Sequence, residues 1–410
     1  MSASISTFTD YRAVLTMRGA RLPVLTSAIG RLPIAMFSMA TLLYVQRTTG
    51  SFAAAGLVSA GTLVGVAVGS VAQGRIVDRL GPARPLLVAA LAFAVAAFAL
   101  VWAIETRQHV AVLVALAVLD GLTQPALPGA SRALWSALVP PGPRRDAAYA
   151  YEAISLEVFF ILGPALAAFL VAAPWPGTGL VVAAAGLVLG TVGFALCPVV
   201  RRQEVSAAAE GAGMLGAIAR PGMRTVALAS LGFGLVVGAV EVGVPAVTTA
   251  AGSATLGGVL LSAWSIASVV AGVLYSLRPW PRPLHLRLPV LLAGFAAMGM
   301  VMAATAVATS LVPLILAMLV AGALITPQVT AHSIAVEIAA PAGAATEGFG
   351  WVITAATLGI AAGSSIAGVA VEQAGPPAGF LAGGVAAAAV AVLLWVRRAT
   401  LVAEPAPATT

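Results

Sequence analysis

Lysine is absent from this chain, and cysteine occurs once. A lone Cys197 cannot form an internal disulfide. At the end of an apolar run it reads as a small buried hydrophobe rather than a reactive thiol. Charge of either sign is scarce: 9% of the residues, against about a quarter in soluble domains. The basic residues are therefore all arginine, which we read as genome composition. They stand at the ends of apolar runs and form no basic domain, so the net charge of +7 gives no reason to expect a nucleic-acid partner. There is no phosphate-binding glycine loop, no His/Cys metal spacing and no Ser–His–Asp constellation, so no enzyme, cofactor or metal site is expected. The first twenty residues hold Arg12 and Arg18 but no compact apolar stretch with a small-residue cleavage site. A cleaved signal peptide is not expected, and the first apolar segment itself would direct insertion.

What the chain has in abundance is apolar length. Sixty per cent of its 410 residues are hydrophobic, and its mean hydropathy is +1.04. A bilayer core of ~30 Å needs about 20 apolar residues per helix, so the chain can hold about a dozen spans. Twelve segments can be laid out, near 22–46, 52–73, 85–104, 110–138, 147–172, 178–199, 223–249, 254–276, 287–307, 311–335, 347–371 and 378–396. They are continuous rather than alternating, which excludes a strand barrel. The expected fold is an all-α membrane protein with twelve transmembrane helices in two six-helix pseudo-repeats. The longest polar stretch, 200–222, contains Arg201, Arg202, Glu204, Glu210 and Arg220. It divides an N-terminal half, 1–199, from a C-terminal half, 223–410.

Arginine placement sets the orientation. With the N-terminus inside, the inner loops and helix ends hold Arg75, Arg79, Arg84, Arg132, Arg144, Arg145, Arg278, Arg282, Arg287, Arg397 and Arg398, among others. The outer loops hold only Arg47 and Arg107. Both termini are therefore assigned to the cytoplasm, in a multi-pass protein of the inner (plasma) membrane. Trp135, Trp175, Trp280 and Trp395 fall near helix ends, as interfacial anchors do.

The halves look like repeats. A shift of about two hundred residues lays Gly56-Leu57-Val58 over Gly258-Val259-Leu260 and brings Gly121 near Gly322, each of these two followed by Thr, Pro and Gln. Gly61, Gly65 and Gly69 stand four apart in the second segment, as do Gly359 and Gly363 in the eleventh. Such faces favour close helix packing.

One charged island lies between the second and third segments: Gly74-Arg75-Ile76-Val77-Asp78-Arg79-Leu80-Gly81-Pro82-Ala83-Arg84. Gly74 allows a turn out of the helix, Gly81-Pro82 forces a second break, and Asp78 sits among three arginines. Gly74, Asp78, Arg79, Gly81 and Arg84 match Gly-x-x-x-Asp-Arg-x-Gly-x-x-Arg, so the island resembles the loop between helices 2 and 3 of the major facilitator superfamily. The resemblance implies two parallel six-helix halves with a substrate site between them at the midplane. It implies that the helix 2 and 11 glycines pack between halves and let them rock. It also implies that Asp78 acts as a gate at the start of helix 11, where free N–H groups favour an anion. Glu347 lies at that same helix start and would repel Asp78 unless Arg79 or Arg84 intervenes.

Charge inside a membrane is costly, so each ionisable group there is a functional candidate. Arg31, Asp120, Glu241 and His332 fall one each in segments 1, 4, 7 and 10, the helices that line the central cavity in that superfamily. Asp120 and Glu241 lie roughly 15 Å and 12 Å from the outer helix ends, at ~1.5 Å per residue, so they could face each other across the cavity. Arg31 could pair with Asp120, or Arg31 or Arg132 with Glu157; Arg132, Glu152 and Glu157 form a second charged group. Glu241 has no partner visible in sequence and sits among Gly, Val, Ala and Pro, which makes it the first choice for proton coupling and Asp120 the second. Thr123, Gln124, Gln328 and His332 are polar cavity candidates, His332 more as a structural or solvated residue. Pro125, Pro128 and Pro327 should unwind helices 4 and 10, freeing carbonyls that could bind a polar ligand. Gly163-Pro164 matches part of the helix 5 motif of proton-coupled exporters, Gly-x-x-x-Gly-Pro-x-x-Gly-Gly, with Phe159 at the first glycine and Ala167 and Ala168 at the last two. Asp120 stands where the exporters' helix 4 arginine is expected.

The expected activity is proton-coupled efflux of a small lipophilic or amphipathic compound by alternating access. The partners are that substrate, protons and the lipid bilayer, and the expected state is a monomer. A proton-coupled importer is the alternative, and a non-transporting sensor the rival from another class.

Overall fold

The computed structural model describes residues 8–17, 19–50, 52–171, 173–203, 216–252, 254–276, 283–308 and 310–402. Arg18, Glu204, Glu210, Arg278, Trp280 and Arg282, and most of the linker, lie outside these. Among the described residues the secondary structure is helical, without strands. After a short helix α1 (Phe8–Thr16), the N-terminal part runs through α2 (Arg21–Thr49), α3 (Phe52–Leu80), α4 (Ala83–Glu105), α5 (Val110–Thr123), α6 (Leu127–Leu138), α7 (Pro143–Val171), α8 (Thr178–Leu196) and α9 (Pro198–Arg201). The C-terminal part follows as α10 (Pro221–Ala250), α11 (Ala254–Ser276), α12 (Leu284–Thr305), α13 (Val312–Gly322), α14 (Ile325–Ala339), α15 (Ala345–Ala374) and α16 (Pro376–Arg397). Each of the twelve expected segments has its helix, the fourth and tenth as broken pairs. Among the described residues eleven spans are long and apolar enough to cross a membrane, the two broken pairs counting once each. The remaining long helix, α7, has 29 residues and carries Arg144, Arg145, Asp146, Glu152 and Glu157. It runs unbroken through Pro164.

The described residues group into two compact units, 8–203 with 342–354, and 216–341 with 355–402. The first ten residues of α15 thus belong with the N-terminal unit. Tyr44, Phe37, Phe93, Leu100 and Phe194 are fully buried in the core of that unit. In the C-terminal unit Trp264 stacks on Phe295 (6.4 Å) and Phe295 on Phe233 (5.4 Å), with His332 edge-on to Phe233 at 6.0 Å.

The glycine faces do not serve the role expected of them. Gly65 is pressed against the backbone of Val118 and Leu122 in α5, Gly61 against Val114 and Gly69 against Leu122. Gly359 and Gly363 meet Leu231 and Leu235 in α10. Each face is consumed inside its own unit, because a helix without side chains on one side lets its neighbour approach to backbone contact. The repeat is nevertheless visible here. Gly163 packs on Ala35, and two hundred residues later Gly363 packs on Leu235. Gly121 abuts the Thr62 carbonyl, and its counterpart Gly322 abuts that of Trp264.

Candidate functional site

The charged island is not a loop. α3 continues through it to Leu80, so Gly74 lies within the helix, and the chain turns only at Gly81, whose φ of +77° favours glycine. Gly74 is needed for a different reason. A Cβ there would stand 2.8 Å from the Thr346 carbonyl oxygen and 2.9 Å from the Glu347 Cα. That close approach delivers Asp78 to the start of α15. Its two carboxylate oxygens accept from the backbone N–H groups of Thr346 (3.0 Å) and Glu347 (2.7 Å). Asp78 thus caps a helix to which it does not belong, satisfying donors that have no partner within α15 and placing negative charge at the positive end of the helix dipole.

Glu347 is neutralised by a different arginine from those anticipated. Arg75 donates to it through Nε (3.2 Å) and through a terminal nitrogen (2.9 Å), and Trp351 adds a bond of 3.3 Å. Arg75 lies one helical turn before Asp78, on the side of α3 that meets α15. Arg79 and Arg84 point outward and are exposed. Ser70 extends the contact, with bonds to the Gly350 carbonyl (3.4 Å) and to Thr354 (3.1 Å).

The break between α5 and α6 is closed by a residue that sequence reading passed over. The Gln73 amide donates to the carbonyls of Leu122 (2.8 Å) and Gln124 (2.9 Å) and accepts from the Ala126 N–H (3.1 Å). Pro125 opens this break, but the freed carbonyls go to Gln73 rather than to a ligand. In the C-terminal unit the break falls at Ala323 and Leu324, ahead of Pro327, which occupies the first turn of α14 where its missing N–H costs little. There the Ser268 hydroxyl receives the Thr326 N–H (3.2 Å) and bonds the Thr326 hydroxyl (2.8 Å). Gln73→Leu should destabilise the protein by about 1 kcal/mol for each hydrogen bond lost. Gln73→Glu should be worse, since a carboxylate would face two carbonyl oxygens. Thermal unfolding in detergent micelles checks the order; equal melting of all three proteins would contradict it.

A second buried group lies among α2, α6 and α7. Arg31 meets Glu152 at 2.5 Å and also donates to the Glu152 carbonyl at 3.1 Å. The other Glu152 oxygen accepts from Ser131 (2.8 Å) and from the Trp135 indole (2.9 Å). Arg31 therefore pairs with neither Glu157 nor Asp120. Trp135 is 3% exposed and belongs to this network rather than to a membrane interface. Arg145, also buried, closes the end of α6 through the carbonyls of Val139 (2.6 Å) and Ser136 (3.0 Å).

The remaining candidates separate by burial. Asp120 is completely buried, and neither carboxylate oxygen has a hydrogen-bond partner among the described residues. It lies on the packed side of α5 with Leu113, Ala117 and Gly121, and so does not look into a cavity as its depth alone suggested. Glu157 is also buried. Glu241 is exposed on α10. Neither Glu157 nor Glu241 makes a hydrogen bond or ion pair among the described residues. Gln124, Gln328 and His332 are buried; Gln328 and His332 bond each other at 3.3 Å, which gives the histidine a structural place. The Thr123 hydroxyl donates to the carbonyls of Leu119 and Asp120 within its own helix.

This geometry agrees with what sequence comparison finds. The profile of the Major Facilitator Superfamily matches residues 24–346. The chain belongs to the major facilitator superfamily. It is thus a multi-pass membrane transporter with the twelve-helix fold of that superfamily. No curated protein matches it in sequence. Among solved structures it is similar to the human organic anion transporter MFSD10 (TETRAN), with a TM-score of 0.71, 18% identity, and coverage of 93% of this chain and 99% of that one. A bacterial homologue of the iron transporter ferroportin, in an outward-facing state, gives a TM-score of 0.72 at 16% identity, covering 94% and 99%. The E. coli fucose:proton symporter FucP gives 0.64 at 14% identity, covering 92% and 99%. At these identities the likeness extends to the fold alone.

Proposed function

We propose that this transporter exports a small lipophilic or amphipathic compound in exchange for protons, by alternating access, its halves being 1–199 and 223–410 with 200–222 as the cytoplasmic linker. It works as a monomer in the plasma membrane with both termini in the cytoplasm. The observation that carries the reading is Glu241, an exposed carboxylate without a partner among the described residues, on a helix otherwise rich in Gly, Val and Ala. An unpaired acid in a membrane-spanning helix has a cost that function must justify. Its exposure lets it exchange protons, so it is the first choice for the coupling residue. Asp120 is sealed in the packing of its unit and is the second. The test is efflux or counterflow of a compound panel in proteoliposomes with and without an imposed pH gradient.

Asp78 is the gate in this scheme. Its cap on α15 holds the cytoplasmic start of that helix in place, and freeing the cap favours the inward-open form. Asp78→Asn keeps one acceptor oxygen but loses the charge. It should raise the labelling of single cavity cysteines from the cytoplasmic side several-fold. Unchanged labelling would remove the gate from the account.

A further inference from the structure

Arg132 has no use in the scheme so far. It is 5% exposed, and it makes no hydrogen bond or ion pair with any described residue. Its Nε is buried and unpartnered. The charged side chains that bear on it are Arg31 and Glu152. Glu152 is already engaged on both oxygens, by Arg31 on one and by Ser131 and Trp135 on the other. The group of three therefore carries one buried positive charge in excess. Glu157, the other buried glutamate on α7, forms no ion pair with either arginine. The guanidinium of Arg132 stands over the ring of Phe349 at 5.9 Å, and Phe349 lies against Tyr149 at 6.4 Å. Arg31 is likewise stacked on Phe159, at 5.5 Å.

A buried guanidinium with five donors and no acceptor is costly on its own, and an anion in its plane removes that cost. Carboxylate, sulfonate and phosphate groups fit the fork of the guanidinium, and the aromatic rings beside it suit an apolar body. From these observations we propose that Arg132 is the anchor for an anionic head group, so that the transported compound is an amphipathic organic anion whose apolar part packs on Phe349 and Tyr149. Phe349 sits two residues beyond Glu347, on the same stretch of α15 that Asp78 caps. Release of that cap frees the ring that lies over Arg132 and opens the way to it. The inference rests on the transporter reading and adds the substrate class to it.

The test is binding to the purified, detergent-solubilised full chain with no gradient, so that it stands apart from proton coupling. Three probes share one apolar body and differ in charge: 2-naphthoate, 2-naphthalenemethanol and 2-naphthylmethyl-trimethylammonium. The naphthoate should bind wild type at least tenfold more tightly than the other two by calorimetry, and should raise its melting temperature. Arg132→Gln should lose at least tenfold in naphthoate affinity, with Arg132→Lys between the two. Absence of naphthoate binding by wild type, equal affinity for the three probes, or undiminished binding by a folded Arg132→Gln would each overturn the assignment. Should Arg132→Gln fail to fold, the probe series on wild type and on Arg132→Lys decides. A proton-driven flux of neutral or cationic compounds without anion preference would sink this inference and leave the transporter reading intact.

Discussion

Glu152→Gln should be among the most damaging single changes in the N-terminal unit. It removes the one acid paired with Arg31 and leaves two buried guanidinium groups, Arg31 and Arg132, without a counter-charge. Breaking a buried pair from one side costs about 3–5 kcal/mol, because the surviving charge stays in a low-dielectric site. The neutral amide also turns donors toward Arg31, Ser131 or Trp135, which themselves donate to Glu152. The expected result is a sharp loss of monodisperse protein and a melting point well below wild type. The double change Arg31→Gln with Glu152→Gln should recover part of the loss, since the two residues interact directly and their effects are not additive. A Glu152→Gln protein that melts with wild type would mean that the network contributes nothing to stability.

Glu241→Gln should abolish transport driven by a pH gradient while leaving substrate exchange in place. The side chain is exposed and makes no ion pair among the described residues, so the amide replaces it at little structural cost. What it cannot replace is the capacity to take up and release a proton. Efflux measured with and without the gradient separates the two activities. Loss of both would point to a folding or substrate-binding role, and retention of gradient-driven efflux would pass the coupling role to another group.

Much of this architecture is legible in the chain because it depends on local composition. The apolar segments match the long helices from α2 to α16 within a few residues, except that α3 runs on through the charged island to Leu80, and the Gly74–Arg84 signature foretells an acid at the start of α15. Which side chain meets which depends instead on how each helix is rotated about its axis, and sequence spacing says little about that. Depth brought Asp120 level with Glu241, but the rotation of α5 turns it into the packing around Gly121. Arg79 and Arg84 were the candidates to neutralise Glu347, but the face of α3 that meets α15 presents Arg75 instead. Gln73 could have drawn notice as an amide in an apolar helix next to the signature, at the level where Pro125 leaves groups unpaired. Trp135 looked like an interfacial anchor because it stands near a helix end. Its indole hydrogen bond to Glu152 spans seventeen residues, which no local pattern reveals.

The most direct measurement uses proteoliposomes that carry wild-type protein, a trapped pH-sensitive dye and an amphipathic compound identified in the efflux panel. Under an imposed gradient, efflux of that compound should be accompanied by proton entry, and the dye should report acidification only when the compound is present. Collapse of the gradient with an ionophore should slow net efflux to the rate of passive exchange. Compound efflux that proceeds at the same rate with the gradient collapsed, and with no proton entry, would contradict proton-coupled export.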